Sequence, residues 1–271
     1  NLGIKGQYNT QKNRYMLYYI NSFNTDFEKA DTYRDFLNTS TNQETYAKIK
    51  GNTNTLNSQY EHKFNKSNLL INSSFSFYNE KINQNTDLHF YDNQNEPTST
   101  LFSNQNSKNN LKTFDIGFDY NITNKKSKIT FKSNYIFYNI KNNSFLSSFQ
   151  YPATHTYDDL QNESPNKVNI VLSQLDYEIK LDSLSKLETG AKAIYQSIDS
   201  ENNFYESSVF SLSKSDKYEY NEWIFGSYIQ YNKNFNKTSF TVGSRLEYNP
   251  LKGVDEKNNF TLKRDNINLF P

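Results

Sequence analysis

The chain has 271 residues, enough for one large domain or two small ones. Its 30 Lys and Arg against 29 Asp and Glu leave a formal net charge of +1, so no electrostatic pull towards nucleic acid is implied and no nucleic-acid partner is expected. Having no cysteine excludes disulfides, thiolate zinc sites and cysteine nucleophiles, and lacking any apolar run of about eighteen residues excludes a transmembrane helix.

A mean hydropathy of −0.92 would suit a disordered chain, which cannot bury enough apolar area to offset ordering entropy. The 22 Tyr and 21 Phe argue otherwise, because disordered chains are poor in aromatics. The apolar residues are present but interleaved with polar ones. No apolar segment after a basic start reads as a signal peptide. Asn1 opens directly into the alternating stretch NLGIKGQY, so the N-terminus reads as cut away from a longer chain.

Alternation at strand period dominates, and helical stripes are hard to find. In chain order the predicted strands are Leu2 to Tyr8, Arg14 to Phe23, Gly51 to Phe64, Asn68 to Tyr78, Leu111 to Ile122, Lys128 to Ile140, Lys167 to Lys180, Lys186 to Ile198, Tyr218 to Asn232 and Lys237 to Tyr248. Short polar turns fall at Asn9 to Asn13, Asn65 to Ser67, Thr123 to Ser127, Leu181 to Ser185 and Lys233 to Asn236, each of hairpin length. Between them lie long polar stretches, read as loops: Asn24 to Lys50, Asn79 to Asn110, Lys141 to Asn166, Asp199 to Lys217 and Asn249 to Asn259. Short and long links alternate throughout. That is the pattern of a transmembrane barrel with short periplasmic turns and long extracellular loops.

The faces sort by charge. Phe114, Ile116, Phe118, Tyr120 and Ile122 oppose Thr113, Asp115, Gly117, Asp119 and Asn121, and Phe240, Val242, Leu246 and Tyr248 oppose Thr241, Gly243, Arg245 and Glu247. A soluble half-buried strand also alternates, but strands of roughly ten to fourteen residues suit a tilted crossing better than the usual five or six. Tyr8, Tyr15, Phe23, Phe64, Tyr78, Tyr120, Tyr138, Tyr177, Tyr218, Tyr231 and Tyr248 cluster near strand ends, where an interfacial girdle would sit. The competing reading makes these tyrosines partly buried core residues. Only a closed barrel satisfies every backbone group in lipid, so the fold expected is all-β, an antiparallel up-and-down transmembrane β-barrel in the outer membrane.

Residues Asn221 to Asn249, NEWIFGSYIQYNKNFNKTSFTVGSRLEYN, followed by INLFP at Ile267 to Pro271, resemble the later barrel strands of the TonB-dependent receptors of Bacteroidota. Gly226 and Tyr228, the turn at Lys233 to Lys237, the run Gly243 to Glu247, and Asn268 to Pro271 carry the resemblance. LETGAKAIY at Leu187 to Tyr195 is similar to the strand two earlier. The resemblance implies an active transporter that imports a small nutrient such as a siderophore, oligosaccharide or peptide. Its expected partners are outer-membrane lipid and, through a plug region not present here, the TonB complex. Such receptors have about twenty-two strands, so about ten or eleven strands read as part of one larger barrel domain spanning 1–271, an internal fragment with open edges.

No catalytic motif emerges: there is no P-loop, GxSxG elbow, HExxH or dinucleotide fingerprint, and neither enzymatic activity nor a cofactor is expected. His62, His89 and His155 lie far apart, too dispersed for a metal site. Ser58 and His62 share a strand parity, as a surface hydrolase pair would, but a girdle position suits His62 better. Asp92 to Glu96 and Asp158-Asp159 offer hard oxygen donors for calcium without a spaced ligand register; solvated loops explain them as well. For substrate contact the candidates are the aromatics of the long stretches, Phe145, Phe149, Tyr151, Tyr157, Phe204 and Tyr205, suited to stacking on a ligand or to packing the loops on one another. A passive porin or structural barrel, and a secreted all-β adhesin with inward aromatics, remain the alternatives.

Overall fold

The computed structural model describes residues 1–37, 39–152, 155–157, 159–235 and 237–271, leaving aside the side chains of His155 and Thr156. The strands are β1 (Leu2–Asn9), β2 (Asn13–Asp35), β3 (Ser40–Lys63), β4 (Ser67–Tyr91), β5 (Pro97–Thr123), β6 (Ser127–Tyr151), β7 (His155–Thr156), β8 (Leu160–Lys180), β9 (Ser185–Glu206), β10 (Val209–Phe210), β11 (Asp216–Asn234), β12 (Ser239–Asp255) and β13 (Phe260–Phe270). All pair antiparallel with their sequence neighbours along the path β1-β2-β3-β4-β5-β6-β8-β9-β11-β12-β13, while the two-residue β7 and β10 pair with β6 and β9. Within the described residues the sheet does not close: β1 pairs only with β2 and β13 only with β12.

Each of the five short links forms within about two residues of its predicted turn, the last between Asn234 and Ser239 with Asn236 outside the described residues, and they share one rim. Each is closed by a backbone bond such as Phe64 N–H to Ser67 O (2.8 Å) or Asn124 N–H to Ser127 O (2.8 Å). Neighbouring turns are also stitched together: Lys63 N–H donates to Lys12 O, Thr123 to Lys66, Lys180 to Lys126 and Asn234 to Leu184, all within 2.7–2.8 Å. Asp182 caps its turn by accepting from the N–H groups of Leu184 and Ser185, both at 2.7 Å. The Ser185 side chain and then these backbone donors hold its carboxyl below the usual range.

The long polar stretches are strand over most of their described length, with only short links between the strands. β2 and β3 continue to Asp35 and from Ser40, so only 36–39 link them; β4 and β5 are joined by 92–96; and Phe145, Phe149 and Tyr151 lie within β6. These segments are rich in Asn and Lys, which have weak strand propensity. Two things hold them as strands: a backbone ladder along most of their length, shifted at Phe90/Tyr91 and interrupted at 164–165 between β8 and β9, and side-chain bonds between equally polar neighbours. Asn104 donates to Asn85 (2.6 Å), and hydroxyl pairs form between Ser103 and Ser148 (3.0 Å) and between Thr45 and Thr86 (3.3 Å). At 27 residues β5 measures about 90 Å along its axis, far beyond the nine to eleven residues a bilayer needs.

The register aligns the faces across the whole sheet. One cross-strand row runs Tyr8, Tyr15, Tyr60, Ile71, Phe118, Ser133, Ser173, Ala193, Phe225, Tyr248, Ile267, without a charge. A row of the opposite parity runs Asn9, Arg14, Glu61, Leu70, Asp119, Lys132, Gln174, Lys192, Gly226, Glu247, Asn268. A one-residue slip anywhere would have mixed the two sets.

Two glycines of the motif strands behave differently. A Cβ on Gly190 would lie 2.5 Å from both Asp176 Oδ1 and Tyr228 Cε1 and 2.9 Å from the backbone O of Leu175, because the Tyr228 ring crosses it to donate its hydroxyl to Asp176 (2.8 Å). At Gly226 the nearest atoms stand 4.0 Å away. Gly190→Ala is expected to cost about 1–3 kcal/mol through this overpacking, and Gly226→Ala less than about 1 kcal/mol. Urea unfolding of the protein refolded in detergent micelles measures both.

Candidate functional site

Exposure distinguishes the two faces. Along β11 the side chains of Trp223, Phe225, Ser227 and Ile229 are exposed, whereas Ile224, Gly226, Tyr228 and Gln230 between them are half-buried. The apolar parity is therefore the open, convex side and the polar parity the crowded, concave side. Ile229 and Leu175 are 53% and 50% exposed, and Ala47 is the single buried apolar residue among those described. A soluble domain sorts its residues the other way. An apolar exterior and a polar interior are what hydrocarbon outside and water inside require.

The apolar band spans Tyr231 to Trp223 on β11 and Phe240 to Tyr248 on β12. Nine residues give about 30 Å along a strand, or about 25 Å of height once tilted. Aromatic contacts mark its margins. Near the short turns Tyr8 meets Tyr15 (ring centroids 6.2 Å apart), Tyr15 stacks on Tyr60 (4.8 Å), and His62 meets Phe64 edge-on (4.1 Å). At the opposite margin Tyr195, Trp223, Phe225 and Tyr248 form a chain of contacts at 4.7, 5.4 and 6.4 Å. His62 Nδ1 is bonded to Asn13 Oδ1 (2.5 Å) and Ser58 to Ser73 (2.8 Å), so both are occupied with other partners.

The concave wall holds a lattice of fixed charges. Lys186 pairs with Glu188 and with Glu178 (3.6 Å), Arg245 pairs with Glu247, and Gln174 donates to Asp176 (2.8 Å). Gln174, Lys192, Tyr228, Gln230, Arg245 and Glu247 line a groove of about 970 Å³. Beyond the band, Tyr220 donates to Glu222 (2.8 Å); burial, then this carboxylate, push its phenol up to about 12.

The six candidate aromatics do not form one cluster. Phe145, Phe149, Tyr151 and Tyr205 occupy the convex parity; Phe145 and Tyr205 both stand opposite Gln161, and Tyr205 contacts Phe210 (5.6 Å). Phe204 projects to the concave side, with Lys214 Nζ 5.2 Å from its ring centroid. Tyr157 bonds to Gln150 Oε1 (2.7 Å) and shares with Phe149, Asp87 and Asn104 a groove of about 650 Å³. Among the proposed calcium donors, Asp92 accepts the N–H groups of Gln94 (2.8 Å) and Glu96 (2.9 Å), closing the tip as a turn. Asp158 lies outside the described residues. His89 Nδ1 bonds to Thr100 (2.9 Å), and no group of three or more His, Cys, Asp or Glu that could hold a metal occurs among the described residues. Ending the strands at Tyr78 and Leu111 hid Glu80 and Asn109, which share a hydrogen bond on the concave wall (2.8 Å). The apolar Ile82 at strand period was the available signal.

An apolar convex band, a charged concave wall and hairpin links along one rim define the wall of an outer-membrane β-barrel. The protein belongs to the outer membrane protein beta-barrel family: residues 120–271, more than half the chain, match that family's model. It is therefore placed in the outer membrane, with its convex face against lipid. Among solved structures it is similar to the ferric preacinetobactin receptor BauA of Acinetobacter baumannii (9% identity, TM-score 0.34, covering 95% of this chain and 58% of that one). It is also similar to the ferric yersiniabactin uptake receptor FyuA of Yersinia pestis (8%, 0.31, 98% and 51%) and to OmpT of Vibrio cholerae (8%, 0.24, 93% and 96%). The chain thus spans between half and three-fifths of the two receptors' length. Comparison with curated proteins finds no match. The family assignment rests on the family model.

Charge placement gives a direct test of the faces. Leu175→Arg, at the middle of the band, is expected to destabilise the membrane-inserted protein by about 2–4 kcal/mol, and Gln230→Arg on the concave wall by less than about 1 kcal/mol. Folding titrations into phospholipid vesicles read the difference.

Proposed function

We propose that this chain forms part of the barrel of a TonB-dependent receptor, which binds a nutrient at the cell surface and imports it without covalent chemistry. The supporting observation is where the motif residues meet. Gly226, Glu247 and Asn268 stand opposite one another in one cross-strand row, and Tyr228, Arg245 and Phe270 in the next row of the same parity. Three stretches separated in sequence thus build one patch of the concave wall. Tyr228 extends it through Gly190 to Asp176, so the strand resembling the earlier motif belongs to it as well.

Fixed, mutually paired charges suit a wall that packs against a polar plug inside the barrel, through which TonB would act. The ligand, a siderophore, oligosaccharide or peptide, would enter from the rim opposite the short turns. There Phe204 is the candidate aromatic that faces inward, while Phe145, Phe149, Tyr151 and Tyr205 would contribute only from the outer side of the strands.

A polar concave wall serves a passive pore equally well, so the test must separate the two. The full-length protein from outer membranes is expected to show no steady ohmic conductance in planar bilayers and to be retained by an immobilised periplasmic domain of TonB. A stable open channel with no TonB retention would contradict the receptor reading and establish a porin.

A further inference from the structure

Beyond the apolar band the convex face becomes cationic on one part of the wall. Lys50, Lys81 and Lys108 stand directly opposite one another on β3, β4 and β5. Lys112 on β5 and Lys141 on β6 share their parity, and all five are exposed. They begin where the band stops: Lys112 is two positions beyond Phe114, Lys81 four beyond Phe77, and Lys50 six beyond Leu56. That places them about 7–20 Å along the strands from the last large apolar group, at the end away from the short turns.

Like charges directly opposite one another destabilise a sheet, and the wall sets no carboxylate against these; Lys112 alone among the five lies over an aromatic ring, that of Phe77 (5.5 Å to its centroid). Among the described residues none of the five makes an ion pair. Glu80, next in sequence to Lys81, projects to the concave side, where Tyr78 (2.5 Å) and Asn109 (2.8 Å) donate to it. The convex parity of β5 and β6 carries no carboxylate, and on β3 and β4 the first are Glu44 and Asp87, each six positions beyond the lysine row. The row reaches a carboxylate, Glu163, only after the neutral Asn143, and then continues to Asn203. On β9 and β11 the corresponding outward residues include Asp199, Glu201 and Glu219, so the cationic surface is local to β3–β6.

Within this surface Lys81, Asn83, Asn106, Lys108, Asn143 and Phe145 line a shallow groove of about 330 Å³. Two ammonium groups suit a phosphate, amide groups suit hydroxyls, and an exposed phenyl suits the apolar face of a sugar ring. We propose that this groove binds the phosphorylated sugar headgroup of an outer-leaflet glycolipid, whose acyl chains lie on the band below Phe77 and Phe114. Lys81 and Lys108 hold the phosphate, flanked by Lys50, Lys112 and Lys141. The assignment depends on the outer-membrane placement of the barrel and not on what it transports.

The test uses full-length protein, delipidated in neutral detergent and titrated with bis-phosphorylated lipid A by native mass spectrometry. One lipid per barrel is expected, bound about thirty-fold more weakly by K81Q/K108Q and about five-fold more weakly by K108Q alone, which keeps the test available should the double variant fail to fold. K12Q/K66Q, the same charge change in the short turns, is expected to bind as the parent does. Equal affinity of parent and folded K81Q/K108Q would overturn the proposal, as would equal binding of dephosphorylated lipid A. Inorganic phosphate binding as tightly as the lipid would also overturn it, leaving a site for the free anion.

Discussion

A strand in hydrocarbon can place its backbone N–H and C=O groups only on another strand. The rest of this structure depends on that constraint. It explains why every long strand except the two outermost is paired on both sides, why pairing follows sequence order, and why each register is constant over most of its length. A constant register with a period of two carries a parity across the whole sheet. Once Phe225 faces lipid, so must Ala193, Ser173 and Phe118. The chemistry of the two faces is thus settled collectively, and one strand with ambiguous faces, such as β2 with Tyr18 and Ile20 opposite Tyr19 and Leu17, takes its orientation from its neighbours.

The same collectivity explains what was legible in the sequence. Band strands such as Leu111 to Ile122 could be read because apolar and polar residues alternate there, and turns such as Thr123 to Ser127 because they interrupt the alternation. The extensions could not be read so easily. In Asn79 to Asn110 both parities are polar, so the period carries little contrast. Those residues are strands because Asn85 has Asn104 beside it and Thr86 has Thr45, a property of neighbours and not of the segment itself. Five of the six candidate aromatics lie on strands and not in loops for the same reason, while Tyr157 stays in a link between strands. Taken as loop residues they could converge, but on strands Phe204 and Tyr205 are adjacent in sequence and face opposite sides.

The motif residues acquire a physical meaning in the assembled wall. Gly190 is small because the Tyr228 ring passes over it, and Tyr228 reaches across to bond Asp176 on the strand beyond. Glycine, tyrosine and aspartate on three strands thus form one unit, invisible to any reading that takes one strand at a time.

The central claim is that the convex parity faces lipid and the concave parity faces water. Single spin labels placed in turn at positions 222 to 231 of β11 in the membrane-inserted protein test it most directly. The account predicts that accessibility to oxygen peaks at 223, 225, 227, 229 and 231, and that accessibility to a water-soluble nickel complex peaks at the positions between. Oxygen accessibility with no period of two, or with its maxima at the even positions, would contradict it.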